Sequence, residues 1–94
     1  MLPQDIITKV RQDFSETDAV VIVQLLSELQ NENPKVFCDR ILRCIIFCAE
    51  GLFDEFASAV KLARIDWRDV IMNAEYDGEN RRRHFELPFI QDVA

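Results

Sequence analysis

Val36–Glu50, VFCDRILRCIIFCAE, decides how this chain folds. Placed on a helix at about 100° per residue, Asp39, Arg43 and Glu50 fall on one narrow strip, with Arg40 beside it. Phe37, Cys38, Ile41, Leu42, Cys44, Ile45 and Cys48 fill the remainder of the circumference. Ile46 and Phe47 sit on the polar strip itself, so no polar side remains between Arg43 and Glu50. A helix apolar nearly all round is the buried centre of a bundle or part of a subunit interface.

On either side the pattern stays helical. Upstream, Asn33 precedes Pro34 and is pushed out of helical dihedrals, which separates the central helix from what comes before. Pro3 suits a first helical position, and Ile6, Ile7, Val10 and Phe14 form the stripe of a short helix over about residues 4–13. Ser15 opens the next helix, with Asp18 three positions later as a weak form of the capping box. Ala19, Ile22, Val23, Leu25, Leu26 and Leu29 fill a wide arc. That arc persists beyond the β-branched run Val20–Val23, which favours helix over strand.

Downstream, Gly51 is a natural helix stop. Leu52–Arg64 then carries a stripe of Leu52, Phe53, Phe56, Ala59, Val60 and Ala63. Asp54 and Glu55 in its first turn and Lys61 and Arg64 in its last complement the helix dipole. Ile65-Asp66 reads as a tight joint, with Asp66 capping a helix over about 67–76 whose Trp67, Val70, Ile71 and Ala74 face the core. Met72 and Tyr76 lie off that stripe. Asp77-Gly78 is a turn signal, followed by the basic cluster Arg81-Arg82-Arg83-His84 and an apolar tail with Phe85, Leu87, Phe89 and Ile90. The expected fold is therefore all-α: a compact bundle of four to five helices over residues 1–78. A C-terminal arm, 79–94, is expected to dock on the bundle or on a second subunit.

Composition narrows the function classes. The chain has 94 residues, 49% of them hydrophobic, with only two Gly and three Pro, which suits one core built from helices joined by short turns. The formal charge of −6 argues against broad contact with nucleic acid or an anionic membrane. Three arginines against Glu86 and Asp92 leave +1 on residues 81–94, so the first eighty residues carry −7. No apolar run reaches the ~20 residues that span a bilayer, and Met1–Val10 lacks the form of a signal peptide. Cys38, Cys44 and Cys48 share one predicted helix and are expected to be reduced, buried thiols in a cytoplasmic protein. Cys44 and Cys48 share a face, but His84 is the single histidine and lies far along the chain, so no metal site is expected. No cofactor is called for.

From Asp39 onward the pattern resembles small uncharacterised bacterial helical proteins, of the kind sometimes carried on mobile gene cassettes. The residues that carry the resemblance are Asp39-Arg40 with Arg43-Cys44-Ile45, then Gly51, then Ile65-Asp66-Trp67-Arg68-Asp69-Val70-Ile71. Ala74-Glu75-Tyr76-Asp77 and an Arg-rich stretch with Pro88-Phe89 complete it. The resemblance covers roughly the last sixty residues and implies a compact helical domain of bacterial origin; it implies no activity.

Three polar groups stand out. Asp66, Arg68, Asp69, Glu75, Tyr76 and Asp77 form the densest polar chemistry, but carboxylates at a helix start most simply cap amides. Asp39, Arg40 and Arg43 place charge on the most apolar helix. Asp39 and Arg43 are spaced to pair at i, i+4, Arg43 is spaced to stack on Phe47, and Glu50, Asp66 or Asp69 are further partners for the cations. Arg81–His84 is too short a basic signal for nucleic acid without a recognised fold around it and most simply docks on acidic helices. No residue is assigned a catalytic role. The reading is a protein-interaction module of adaptor, regulatory or immunity type, a homodimer, with a possible further partner of basic surface. Phe47, Met72, Tyr76, Arg81, Arg82, Arg83, Phe85 and Phe89 are its interface candidates. The alternative is a small enzyme or ligand-binding protein with a polar cleft around Arg40, Arg43, Glu75 and Tyr76, with Arg68 as a further anion-binding candidate.

Overall fold

Four helices and a short hairpin make up residues 2–89, the part of the chain that the computed structural model describes. In order these are α1 (Gln4–Asp13), α2 (Glu16–Glu32), α3 (Asp39–Ala49), α4 (Phe53–Glu75), β1 (Tyr76–Asp77) and β2 (Asn80–Arg81). The all-α expectation holds. Ile90, read as part of the apolar tail, lies outside the described residues.

Local chemistry explains the boundaries. Ser15 Oγ accepts the Asp18 amide at 3.2 Å and starts α2. Asn33 ends it, its amide donating to the Leu29 carbonyl at 2.9 Å, and the Asn33 side chain then accepts the Val36 amide. This turn takes up Val36 and Phe37, so α3 begins at Asp39 rather than at Val36. Phe37 is nonetheless buried, with the Arg64 guanidinium 5.5 Å from its ring centre. The long helix α4 is interrupted at Asp66, whose dihedrals (φ −154°, ψ 95°) are extended. Asp66 Oδ1 accepts the Arg68 amide at 3.1 Å and restarts the helix. The joint expected at Ile65-Asp66 is thus a break within one element, which makes four helices by name and five straight segments.

α3 runs through the middle and packs most extensively on α4, with α1 on another side. Ile41, Leu42, Arg43, Cys44, Ile45, Ile46 and Ala49 are all buried, as a helix without a polar side requires. Ile6 and Val10 from α1, Ile22 and Leu26 from α2, and Phe56, Ala63, Val70 and Ala74 from α4 close around them. Each fully buried large aliphatic contributes about 1.5–3 kcal/mol.

Three expectations for the core change. Trp67 is 43% exposed: it is the first residue after the break at Asp66 and lies at the end of its stripe, of which Val70 and Ala74 are buried. Leu52 is 58% exposed and Phe53 36%, since Leu52 is the residue before α4 and Phe53 its first, ahead of the face that Phe56 begins. Cys38 and Cys48 are half-buried, and Cys44 alone of the three thiols is fully buried.

The connection from α3 to α4 spans three residues, Glu50 to Leu52. Glu50 and Gly51 take positive φ, 50° and 77°. A Cβ on Gly51 would stand 2.5 Å from the Asp13 carbonyl oxygen, so the end of α1 rests directly on this turn. Gly51→Ala should therefore cost roughly 2–5 kcal/mol, the left-handed penalty plus overpacking. Gly78→Ala, at φ 63° with open space around it, should cost only about 1–2 kcal/mol. Chemical denaturation of both variants checks this: equal losses would show that the contact with Asp13 carries no weight.

Candidate functional site

α4 ends on a carboxylate that the fold buries completely. Glu75 is 0% exposed. A buried carboxylate without partners is prohibitively costly, and its partners here come from three directions. Arg40, the second residue of α3, donates from Nε to Oε2 at 2.9 Å and from Nη2 to Oε1 at 2.8 Å. Arg81 donates from Nε to Oε1 at 2.9 Å. The Cys44 thiol donates to Oε2 at 3.6 Å and the Phe85 amide to the same oxygen at 3.4 Å.

The hairpin explains how Arg81 gets there. β1 and β2 pair antiparallel with Tyr76 opposite Arg81 and Asp77 opposite Asn80. Gly78 supplies the positive φ that a two-residue loop asks of its first position. Six residues after the end of α4 the chain is back beside Glu75, whose own carbonyl accepts the Arg82 and Arg83 amides at 2.7 and 3.1 Å.

A second buried charge lies beyond Phe85. Arg43 is only 5% exposed. Its fork grips Asp5 of α1, Nε to Oδ2 at 2.8 Å and Nη2 to Oδ1 at 3.1 Å, and its Nη1 donates to the Phe85 carbonyl at 3.1 Å. Asp5 Oδ2 also accepts the Phe89 amide at 3.0 Å. Both peptide groups of Phe85 are thus bound to buried charges of the bundle. Among the described residues no buried side-chain nitrogen or oxygen lacks a partner.

Electrostatics follow from these contacts. Burial pushes the Glu75 carboxyl up, but the Arg40 hydrogen bond and the charges of Arg40 and Arg81 outweigh it and hold it below its ordinary value of 4.5. Asp5 behaves alike: burial opposes, and Arg43 and the Phe89 amide win. The hydrogen bond to Glu75 raises Arg40, and that to Asp5 raises Arg43. Burial, then the Glu75 charge, drives the Cys44 thiol far above its ordinary range, which leaves it an unreactive proton donor.

The arm that these contacts hold down forms one wall of a groove of about 590 Å³. Phe47 of α3 and Phe85, Leu87, Pro88 and Phe89 of the arm supply apolar lining, with Phe85 rings 5.2 Å from Phe47 and 5.5 Å from Phe89. Lys9 of α1 and Arg82, Arg83 and His84 of the arm supply nitrogen and Asp5 a carboxylate; Lys9 pairs with Asp13 at 3.3 Å, Arg82 and Arg83 each lie 3.9 Å from Asp77, and His84 lies 3.3 Å from Glu86. Arg83 lies over the Phe47 ring at 4.6 Å and donates to the Ala74 carbonyl at 3.2 Å; Arg82 is largely solvated.

The sequence candidates are therefore placed as follows. Arg40, Glu75 and Arg81 meet in one buried cluster. Arg43 bonds Asp5 instead of Asp39, whose Oδ1 accepts from Gln30 at 2.9 Å, because α1 brings a carboxylate to the far side of α3. Phe47 carries Arg83 rather than Arg43. Arg68 is exposed, bound to Asp66 and near the Trp67 ring. Tyr76 is half-buried in β1 and Met72 is exposed on α4. Asp5, Lys9 and Glu86, which pairs with Arg81 and lies 3.6 Å from Arg40, carried no signal in the sequence. Among the described residues no His, Cys, Asp and Glu cluster as three or more potential metal ligands, and no helix is long and apolar enough to cross a membrane. Comparison with protein-family models, with curated proteins and with solved structures returned no match.

Two outcomes follow from the buried charges. Glu75→Gln keeps the shape but leaves Glu86 as the remaining carboxylate beside Arg40 and Arg81, and with both arginines about one-third exposed it should cost about 1.5–3 kcal/mol in denaturant unfolding; a loss within error of zero would contradict the role given to this carboxylate. Because Glu75 and Asp5 both bind protons more weakly folded than unfolded, their contribution is complete above about pH 5. It should drain away as pH falls through their lowered values, and Glu75→Gln should flatten that acid limb. An unchanged acid slope in the variant would show that Glu75 does not titrate with unfolding.

Proposed function

We propose that this protein is an interaction module of a bacterial cytoplasm, acting by binding rather than catalysis, with the groove between α1, α3 and the arm as its contact site. The observation that carries the reading is the gathering of Lys9, Arg82, Arg83 and His84 around three phenylalanines, with Arg82 the most solvated of the four and held only loosely by Asp77 at 3.9 Å. The occupant that fits is an acidic protein segment bearing an apolar side chain: guanidinium groups take carboxylates in a forked geometry, and the aromatic lining takes the apolar group. A volume near 590 Å³ lies within the ordinary range for a binding cleft.

Binding is favoured over catalysis because the groups with displaced proton affinity, Glu75, Asp5 and Cys44, are saturated by partners of the same chain. The three free thiols suit a reducing compartment. The bacterial setting rests on the resemblance of Ile65–Ile71 and Ala74–Asp77. A twofold homodimer is the simplest assembly that presents such a segment to the groove, and the acidic remainder of the surface suits a further partner of basic surface.

A fluorescent hexapeptide of aspartates and phenylalanines, titrated with the protein and followed by anisotropy, tests the reading. Saturable binding that weakens with salt is expected, and Lys9→Glu with Arg82→Glu should weaken it at least tenfold, as should replacing the peptide's aspartates by asparagines. Indifference to the double substitution would remove the groove from consideration.

A further inference from the structure

The start of α2 carries a surface that neither the core nor the groove uses. Glu16, Ala19, Val20 and Val23 stand at i, i+3, i+4 and i+7, the spacing of one helix face. With Arg11 of α1 they line a hollow of about 570 Å³. Ala19 is buried, whereas Val20 on the same face is 67% exposed and Val21 beside it 43%. A valine so exposed covers little of its own core and is a modest helix former, so it gains the single chain almost nothing. Arg11 and Glu16 are exposed as well. Among the described residues neither enters a side-chain hydrogen bond or an ion pair, although both line the hollow; Asp13, the acid nearest Arg11 along the chain, is held by Lys9 at 3.3 Å.

We propose that two copies of this chain pair through this face about a twofold axis, Val20 of each entering the hollow of the other and Arg11 of each meeting Glu16 of the other. The patch is complementary to itself. A cation, an anion, a protruding apolar side chain and a recess line one hollow, and a twofold contact uses all four at once, because every contact of residue i with residue j is repeated as j with i. The valines then form an apolar centre and the ions its rim, the usual anatomy of an interface. The pairing does not depend on what the groove holds. At about 100° per residue, Arg11 lies at least about 100° around α1 from Asp5, Lys9 and Gln12, the α1 residues that line the groove.

Sedimentation equilibrium on the full chain at micromolar concentration provides the test. Wild type should show twice the 11.0 kDa chain mass. Arg11→Glu and Glu16→Arg each place like charges together at both ends of the contact, so each should raise the dissociation constant at least tenfold and shift the mass toward that of one chain. Their equimolar mixture should regain the doubled mass, since Glu at 11 then meets Arg at 16 of the other variant and the native pair forms at the other end. The double exchange Arg11→Glu/Glu16→Arg should pair with itself for the same reason. Far-ultraviolet circular dichroism checks that each variant is folded. Glu16→Arg opposes the dipole of α2 in its first turn; if it is unfolded, Val20→Glu, at an exposed site, takes its place as an independent loss of pairing.

A monomeric wild type, or Arg11→Glu and Val20→Glu variants that pair as tightly as wild type, would overturn the proposal. So would a mixture of folded single variants that stays single. Lys9→Glu/Arg82→Glu, which reverses charge in the groove and leaves α2 untouched, should keep the doubled mass. If that variant falls to the mass of one chain while Arg11→Glu stays paired, the copies meet at the groove and the face of α2 is not their contact.

Discussion

The carboxylate of Glu75 is the constraint on which the rest depends. It sits at the end of the longest helix with no exposure to water, and a charge in that position tolerates only arrangements that bring counter-charge to it. Arg40 meets it from α3 and Arg81 from the hairpin. A buried pair of this kind gains little over a well-packed apolar contact of the same size, while loss of one member is costly. Its effect is on which arrangement is allowed. An arm that left the bundle would strip Glu75 of Arg81 and of the Phe85 amide together.

The same logic continues outward through Phe85. Its amide is bound to Glu75 and its carbonyl to Arg43; Arg43 is bound to Asp5, and Asp5 to the Phe89 amide. These links join α1, α3, α4 and the arm in one connected set of polar contacts running through an otherwise apolar interior. The phenyl ring of Phe85 packs between Phe47 and Phe89 while its backbone is held at both ends. An irregular segment can be buried only if its peptide groups are satisfied, and here side chains take the place that a helix or sheet partner would fill.

Fixing the arm also creates the surface from which function is read. Arg82, Arg83 and His84 follow Arg81 directly, so the cluster that neutralises Glu75 also lines the groove with positive and titratable nitrogen. Arg81 and Arg83 turn inward, to Glu75 and to the Ala74 carbonyl, whereas Arg82 and His84 stay largely solvated. One short basic run therefore serves as anchor and as rim, by the alternation of an extended chain.

Sequence alone determined the helices and most of their ends, the start of α3 being the exception because the turn after Asn33 takes up Val36 and Phe37. Hydrophobic spacing, the Ser15 cap, the Asn33-Pro34 break, the Gly51 stop and the Asp66 joint are local signals whose physics operates within a few residues. The absence of a polar side on the second half of α3 likewise required that helix to be central, whatever surrounded it. Pairings between distant residues were not legible. Arg43 had Asp39 within reach along its own helix, yet it bonds Asp5, thirty-eight positions away, because the packing of α1 on α3 brings that carboxylate to its guanidinium while Gln30 holds Asp39. Glu75 gave no sign of being buried, since its burial depends on a hairpin that returns Arg81 to it. The groove exists only once the arm lies against α1 and α3, so Lys9 and Asp5 could not be assigned to it from their positions in the chain. Trp67 marks the converse limit: its stripe points inward at Val70 and Ala74, but at the first position after Asp66 the indole is left 43% exposed, because the end of a stripe is covered only where another element reaches it.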